Sequence, residues 1–323
     1  MNKEKEVHPP KKIIQKFNIF LVVILFIVFL YFFPQVLNRF WALKNKKATS
    51  TNQLAKNFNQ SLSTEIYNQI NPPNGYEINT QFGDIGPKMI DMGVIDLEKF
   101  KATYDRSGQP LTEEQLSILT KGSDQKIKIT SKNSYFLLNF FWAFGLANQS
   151  KILSEGDMIT QSNGKPGSFA STGGWSLAKN ADSMQYYAKN NLVSLTLDQE
   201  RLVYDVASNV YRPCCGNSTA FPDCNHGMAL LGIFELMAAQ GATQTQMYQA
   251  AKYINSFWFP STAFDTTLYF KNKEGLDFKN IDSKTFLSKD IFSASGAQSV
   301  KKYLVEKGIQ EKPSSSGGGG CGI

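Results

Sequence analysis

"SYFLLNFFWAFGLAN", residues 134–148, contains no charged side chain and no polar stripe. A helix at the surface of a domain shows one apolar face, whereas a helix that is apolar nearly all round is surrounded by protein or lipid. About 14 residues is short for a bilayer, which needs roughly 20, and the approach through Lys132 and Asn133 is polar. The stretch therefore predicts a helix buried at the centre of a folded domain. A second stretch of the same kind, "NHGMALLGIFELMAAQG" at 225–241, carries one charge, Glu235, and stops at Gly241.

Amphipathic helices are expected around this pair, and three of them announce their starts in the same way. A Thr followed three residues later by Gln is a capping box, in which the hydroxyl takes one orphan backbone N–H and the Gln side chain takes another. Thr112 and Gln115 open "LTEEQLSILTKG", which Gly122 terminates. Thr196 and Gln199 open "LTLDQERLVYDVASNVYRP", with Leu202, Val203, Val206 and Val210 as its stripe and Pro213 beyond its end. Thr243 and Gln246 open "TQTQMYQAAKYINSFWFP", which stops before Pro260. Residues 51–75 read as a further helix halted by Pro72, Pro73 and Gly75, and residues 295–308 as a last one closed by Gly308. The fold class predicted is mainly α, with one long loop rich in Gly and Ser at 155–193. Within that loop Trp175, after Gly173 and Gly174, reads as a buried tryptophan beside a tight turn, and Met228, Met237 and Met247 read as core.

The chain has 323 residues, 42% hydrophobic and 19% charged, which suits a globular protein. Its net charge of +7 is confined to the first 50 residues, where nine Lys and Arg face only Glu4 and Glu6. Acidic and basic residues balance in the remainder, so no basic surplus is left for a phosphate backbone and no nucleic-acid partner is expected. From Phe17 through Asn38 there is no charge, and 22 helical residues reach about 33 Å, enough to span a bilayer. The expectation is a basic cytoplasmic tail at 1–16, a single transmembrane signal anchor at 17–38 holding the protein in the cell membrane, and a juxtamembrane linker at 39–50. An extracytoplasmic helical domain at 51–312 would follow, then a flexible tail at 313–323 that ends "SSSGGGGCGI".

Chemistry concentrates in "YRPCCGNSTAFPDCNHG", residues 211–227, which holds three of the four cysteines and one of the two histidines. A helix is expected to end near Tyr211 and the apolar helix to begin near Asn225, so a loop doubling back would gather Cys214, Cys215, Cys224 and His226 at one end of a helix pair. The positive end of the second helix favours thiolate at Cys224. Thiolates with an imidazole suit a copper(I) or zinc ion, although C-C-x8-C-x-H is not a standard zinc spacing. Cys321, tethered by its glycines, would act as a shuttle thiol or cap the ion, with a metal donor or acceptor or a redox protein as partner. A thiol–disulfide relay through the vicinal pair and Cys321 is the first alternative, and a disulfide-stabilised interaction module the second. Asp223, beside Cys224, would accept a hydrogen bond from a metal ligand or carry a proton, or would simply cap the helix that follows. No phosphate loop, dinucleotide fingerprint or G-x-S-x-G element is present.

Overall fold

A computed structural model describes residues 60–311, together with Gln35, Asn38, Arg39 and Trp41. The chain falls into two compact units, Met1–Ser63 and Thr64–Ile323, and the elements described here belong to the second. It is mainly helical, as expected. The transmembrane part of the expected fold is not upheld: among the described residues no helix is long and apolar enough to cross a membrane. The longest helices among the described residues have 15 residues, about 22 Å against a hydrocarbon core of roughly 30 Å. The segment 17–38 lies outside the described residues apart from Gln35 and Asn38, and so do 313–323 with Cys321.

Residues 64–70 are helical and end at the two prolines. The longer helices that follow are α1 (Ile85–Asp91), α2 (Leu97–Arg106), α3 (Glu113–Lys121), α4 (Ser134–Ala147) and α5 (Leu197–Ala207). After these come α6 (Asn225–Ala239), α7 (Gln244–Trp258), α8 (Pro260–Glu274) and α9 (Ala294–Glu306). All three capping boxes form, opening α3, α5 and α7, each with the Thr oxygen on the Gln amide and the Gln side chain on the Thr amide. One element was not foreseen. Strands β1 (Tyr76–Gly83) and β2 (Ser123–Ile129) pair antiparallel, Tyr76 opposite Ile129 and Gly83 opposite Ser123. Gln240, just past α6, continues this pairing with its side chain: its oxygen accepts from the Gln81 amide at 2.8 Å and its nitrogen donates to the Gln81 carbonyl at 2.9 Å.

The centre of the domain is α4 packed on α6, and two glycines set how closely they approach. A Cβ on Gly145 would stand 2.2 Å from the Met228 carbonyl oxygen, and one on Gly232 would stand 2.8 Å from the Gly145 nitrogen. With backbone against backbone, the phenylalanines of α4 splay outward and bury all round. Phe140, Phe141 and Phe144 have no exposed surface, and Phe82 of β1 meets Phe140 edge-on. The segment 155–193 is not one long open loop: short turns of helix at Asp157–Gln161, Pro166–Ser168, Ala170–Gly173 and Ser183–Gln185 pack it onto this core. Trp175 is buried, its indole donating to the Val94 carbonyl at 2.9 Å, and Met228, Met237 and Met247 are buried as expected.

Candidate metal centre

Helix α5 ends at Ala207, three residues before Val210, the last member of its expected apolar stripe. The chain then folds back on itself: Thr219 donates its amide to the Val210 carbonyl at 2.8 Å, and Tyr211 bridges Ser218. This small hairpin is anchored outside itself at three points. Tyr211 donates to the Leu287 carbonyl, the Cys215 carbonyl accepts from Ala294 at the start of α9, and the Asp223 carbonyl accepts from Ser171. Cys224 then sits at the N-cap of α6 in extended conformation, with no side-chain capping bond of its own.

The result gathers the expected residues into two overlapping groups rather than one. Ligand atoms of Cys214, Cys224 and His226 lie within 4.8 Å of one another, and so do those of Cys215, Asp223 and Cys224. The Cys214 and Cys224 sulfurs are 3.6 Å apart. All three thiols are free, and no disulfide joins them. His226 packs its ring against Phe259 at 4.6 Å and Trp258 at 5.5 Å. Its Nδ1 is buried and has no hydrogen-bond partner among the described residues. Cys321 is outside the described residues, so the structure brings together the loop ligands alone.

The residue that organises the cluster is one the sequence reasoning passed over. Arg212 has no exposed surface, and its Nη2 donates to Cys215 Sγ at 3.1 Å and to Asp223 Oδ1 at 2.9 Å. Asn217 donates to the other Asp223 oxygen at 2.9 Å, which makes Asp223 a partner of the arginine rather than a helix cap. The guanidinium lies flat on Gly227, where a Cβ would stand 2.7 Å from its central carbon. Its Nε and Nη1 have no acceptor among the described residues. A signal was present in the sequence: Arg212 is the one Lys or Arg between Arg201 and Lys252, and it falls inside the cysteine stretch.

Electrostatics divide the three thiols. Hydrogen bonds from Cys214 and Cys215 hold the Cys224 thiol well below the ordinary range; burial opposes this, while Arg212 and a bond with His226 reinforce it. Cys214 is pushed up by the same bonding to Cys215 and Cys224 and by burial. Cys215 also rises. Its bond with Cys214 is the largest influence and lowers it, as the charge of Arg212 does, but the bond to Cys224 and burial outweigh them. For Arg212 burial is the largest influence and works against its charge, yet the sulfurs of Cys224, Cys215 and Cys214 and the Asp223 carboxylate raise it overall. The surroundings thus favour the charged form at Cys224 and disfavour it at Cys214 and Cys215, beside the Arg212–Asp223 ion pair. No protein-family model, curated protein or solved structure matches the chain.

Proposed function

We propose that the protein holds one zinc ion through Cys214, Cys224 and His226, with copper(I) as the second choice of ion. The observation that carries this is the 3.6 Å spacing of the two sulfurs. An ion bonded to both at about 2.3 Å would subtend an S–metal–S angle of about 103°, close to tetrahedral. His226 Nδ1 supplies a buried nitrogen that has no hydrogen-bond partner among the described residues. Two thiolates neutralise a divalent ion, which leaves no net charge to bury beside a site already holding a matched Arg–Asp pair.

Arg212 decides between the two groups of ligands. It donates to both Cys215 and Asp223, so a cation among Cys215, Asp223 and Cys224 would face a guanidinium already bonded to two of its three ligands. That leaves the group with His226, and makes Cys215 a thiol beside the ion rather than a ligand to it. Of the thiol-based alternatives, the structure favours Cys214 with Cys224 over the vicinal pair, since Cys215 is engaged by the arginine.

The test is the metal content of the full-length chain, purified without oxygen and equilibrated with zinc. About one zinc per chain is expected, lost in Cys224→Ser, Cys214→Ser and His226→Ala but kept in Cys215→Ser. A folded chain that takes up neither zinc nor copper(I), and forms a Cys214–Cys224 disulfide on mild oxidation, would replace the metal reading with a redox one.

A further inference from the structure

We infer that the fourth coordination position at this ion is left to a thiolate from outside the loop, so that the centre is built to bind or exchange a cysteine-type sulfur rather than to be a closed structural site. This rests on the metal reading above. A structural zinc site is completed by four protein ligands, whereas a site with three keeps a position for another molecule.

Around this cluster the nearby donors are already engaged. Cys215 Sγ accepts from Arg212 at 3.1 Å. The two Asp223 oxygens accept from Arg212 and from Asn217, both at 2.9 Å. Asn225 Oδ1 accepts from the His226 amide at 2.9 Å. Cys214, Cys224 and His226 are each partly exposed as residues, although His226 Nδ1 itself is buried, so the loop closes over only part of the cluster.

What would enter is set by the surroundings. Arg212 keeps two buried nitrogens, Nε and Nη1, with no acceptor among the described residues, so an incoming ligand with lone pairs to offer is favoured over an apolar one. Trp258 and Phe259, half-buried beside the His226 ring, form an apolar wall that suits a sulfur and its methylene group better than a hydrated carboxylate. A soft anion meets both conditions, and a thiolate is the soft anion that proteins and small metabolites carry. Binding releases the thiol proton to solvent and forms one sulfur–metal bond in place of one to water, with no change of oxidation state.

Cobalt(II) substituted for zinc makes this visible, because each thiolate bound to cobalt adds to a sulfur-to-metal absorption band. Full-length chain and its Cys321→Ser variant would be loaded with cobalt(II) and titrated with 2-mercaptoethanol, then separately with acetate. The expected result in Cys321→Ser is a rise of about 1.5-fold in that band as two thiolates become three, with cobalt retained and no response to acetate. The same rise in Cys215→Ser would show that the added sulfur does not replace a loop cysteine. Should wild type start at the higher level and only Cys321→Ser respond, the thiolate comes from this chain's own tail. Should both chains respond alike, it comes from another molecule. Bound cobalt with no response to thiol, or a response to acetate instead, overturns the inference and leaves the metal site standing. Failure of cobalt to bind at all overturns the metal reading itself.

Discussion

Helix α6 uses glycine twice, for opposite ends. Eight residues into the helix, Gly232 removes a side chain so that the backbone of α4 can lie against it, and the mostly apolar residues around that contact are closed to water. In the first turn, Gly227 removes a side chain so that the guanidinium of Arg212 can lie there, fully buried and facing three thiols and a carboxylate. The first contact gains dispersion and apolar burial and serves stability alone. The second takes a charge out of water, a cost that is met only because the three cysteine sulfurs and the Asp223 carboxylate surround the guanidinium. Proteins keep such arrangements where chemistry needs them, and the contrast locates the site within one helix.

Breaking the closed end should have the larger effect. In Gly232→Val the new atoms meet backbone of Gly145 and Phe141 at under 3 Å, where nothing can rotate away. A loss of more than about 3 kcal/mol in urea unfolding is expected, with metal binding lost alongside. Gly227→Ala should cost less, about 1–3 kcal/mol, because the atom it meets belongs to a side chain. Its signature is different: Asp223 and Cys215 lose their donor, and Cys215 becomes accessible to alkylation in the folded protein.

The comparison sharpens at Glu235, the one carboxyl in the closed part of α6. Burial, the largest influence, raises it from 4.5 to about 8, against hydrogen bonds from Asn148 and Ser150 and with a small push from Glu200. A raised value means the folded state holds the proton more tightly. Its contribution is fully present below about pH 4.5 and is lost as the pH climbs towards 8. Unfolding measured across that window should show wild type losing up to ~1.4 kcal/mol per pH unit relative to Glu235→Gln, which keeps an acceptor for Asn148. Parallel pH profiles would mean the carboxyl is not held neutral. Smallest of all is Thr243→Ala at the start of α7, expected to cost about 1 kcal/mol through its capping box and to leave metal binding unchanged.

Much of the helical frame was legible because its signals are local. A capping box occupies four residues, and an all-apolar run declares its burial without reference to anything else. The strands were readable in part: "YEINTQFG" alternates, burying Ile78, Thr80 and Phe82, and "KIKI" buries Ile127 and Ile129. They were passed over because each is short and their pairing closes across about forty residues of mostly helical chain, a distance at which local pattern says nothing. At the site, sequence proximity identified which residues gather but not which of them share a ligand position. That division is made by Arg212, whose role depends on a glycine fifteen residues away and on a hairpin fixed by α9 and by Ser171.

In the proposed site Arg212 reserves Cys215 and leaves the ion to Cys214, Cys224 and His226. X-ray absorption at the zinc edge of the loaded full-length protein tests it most directly. With thiol excluded from the buffer and Cys321 replaced by Ser, the account predicts two sulfurs at about 2.3 Å and one imidazole nitrogen at about 2.0–2.1 Å, unchanged in Cys215→Ser. Three sulfurs in that chain, falling to two in Cys215→Ser, would contradict it.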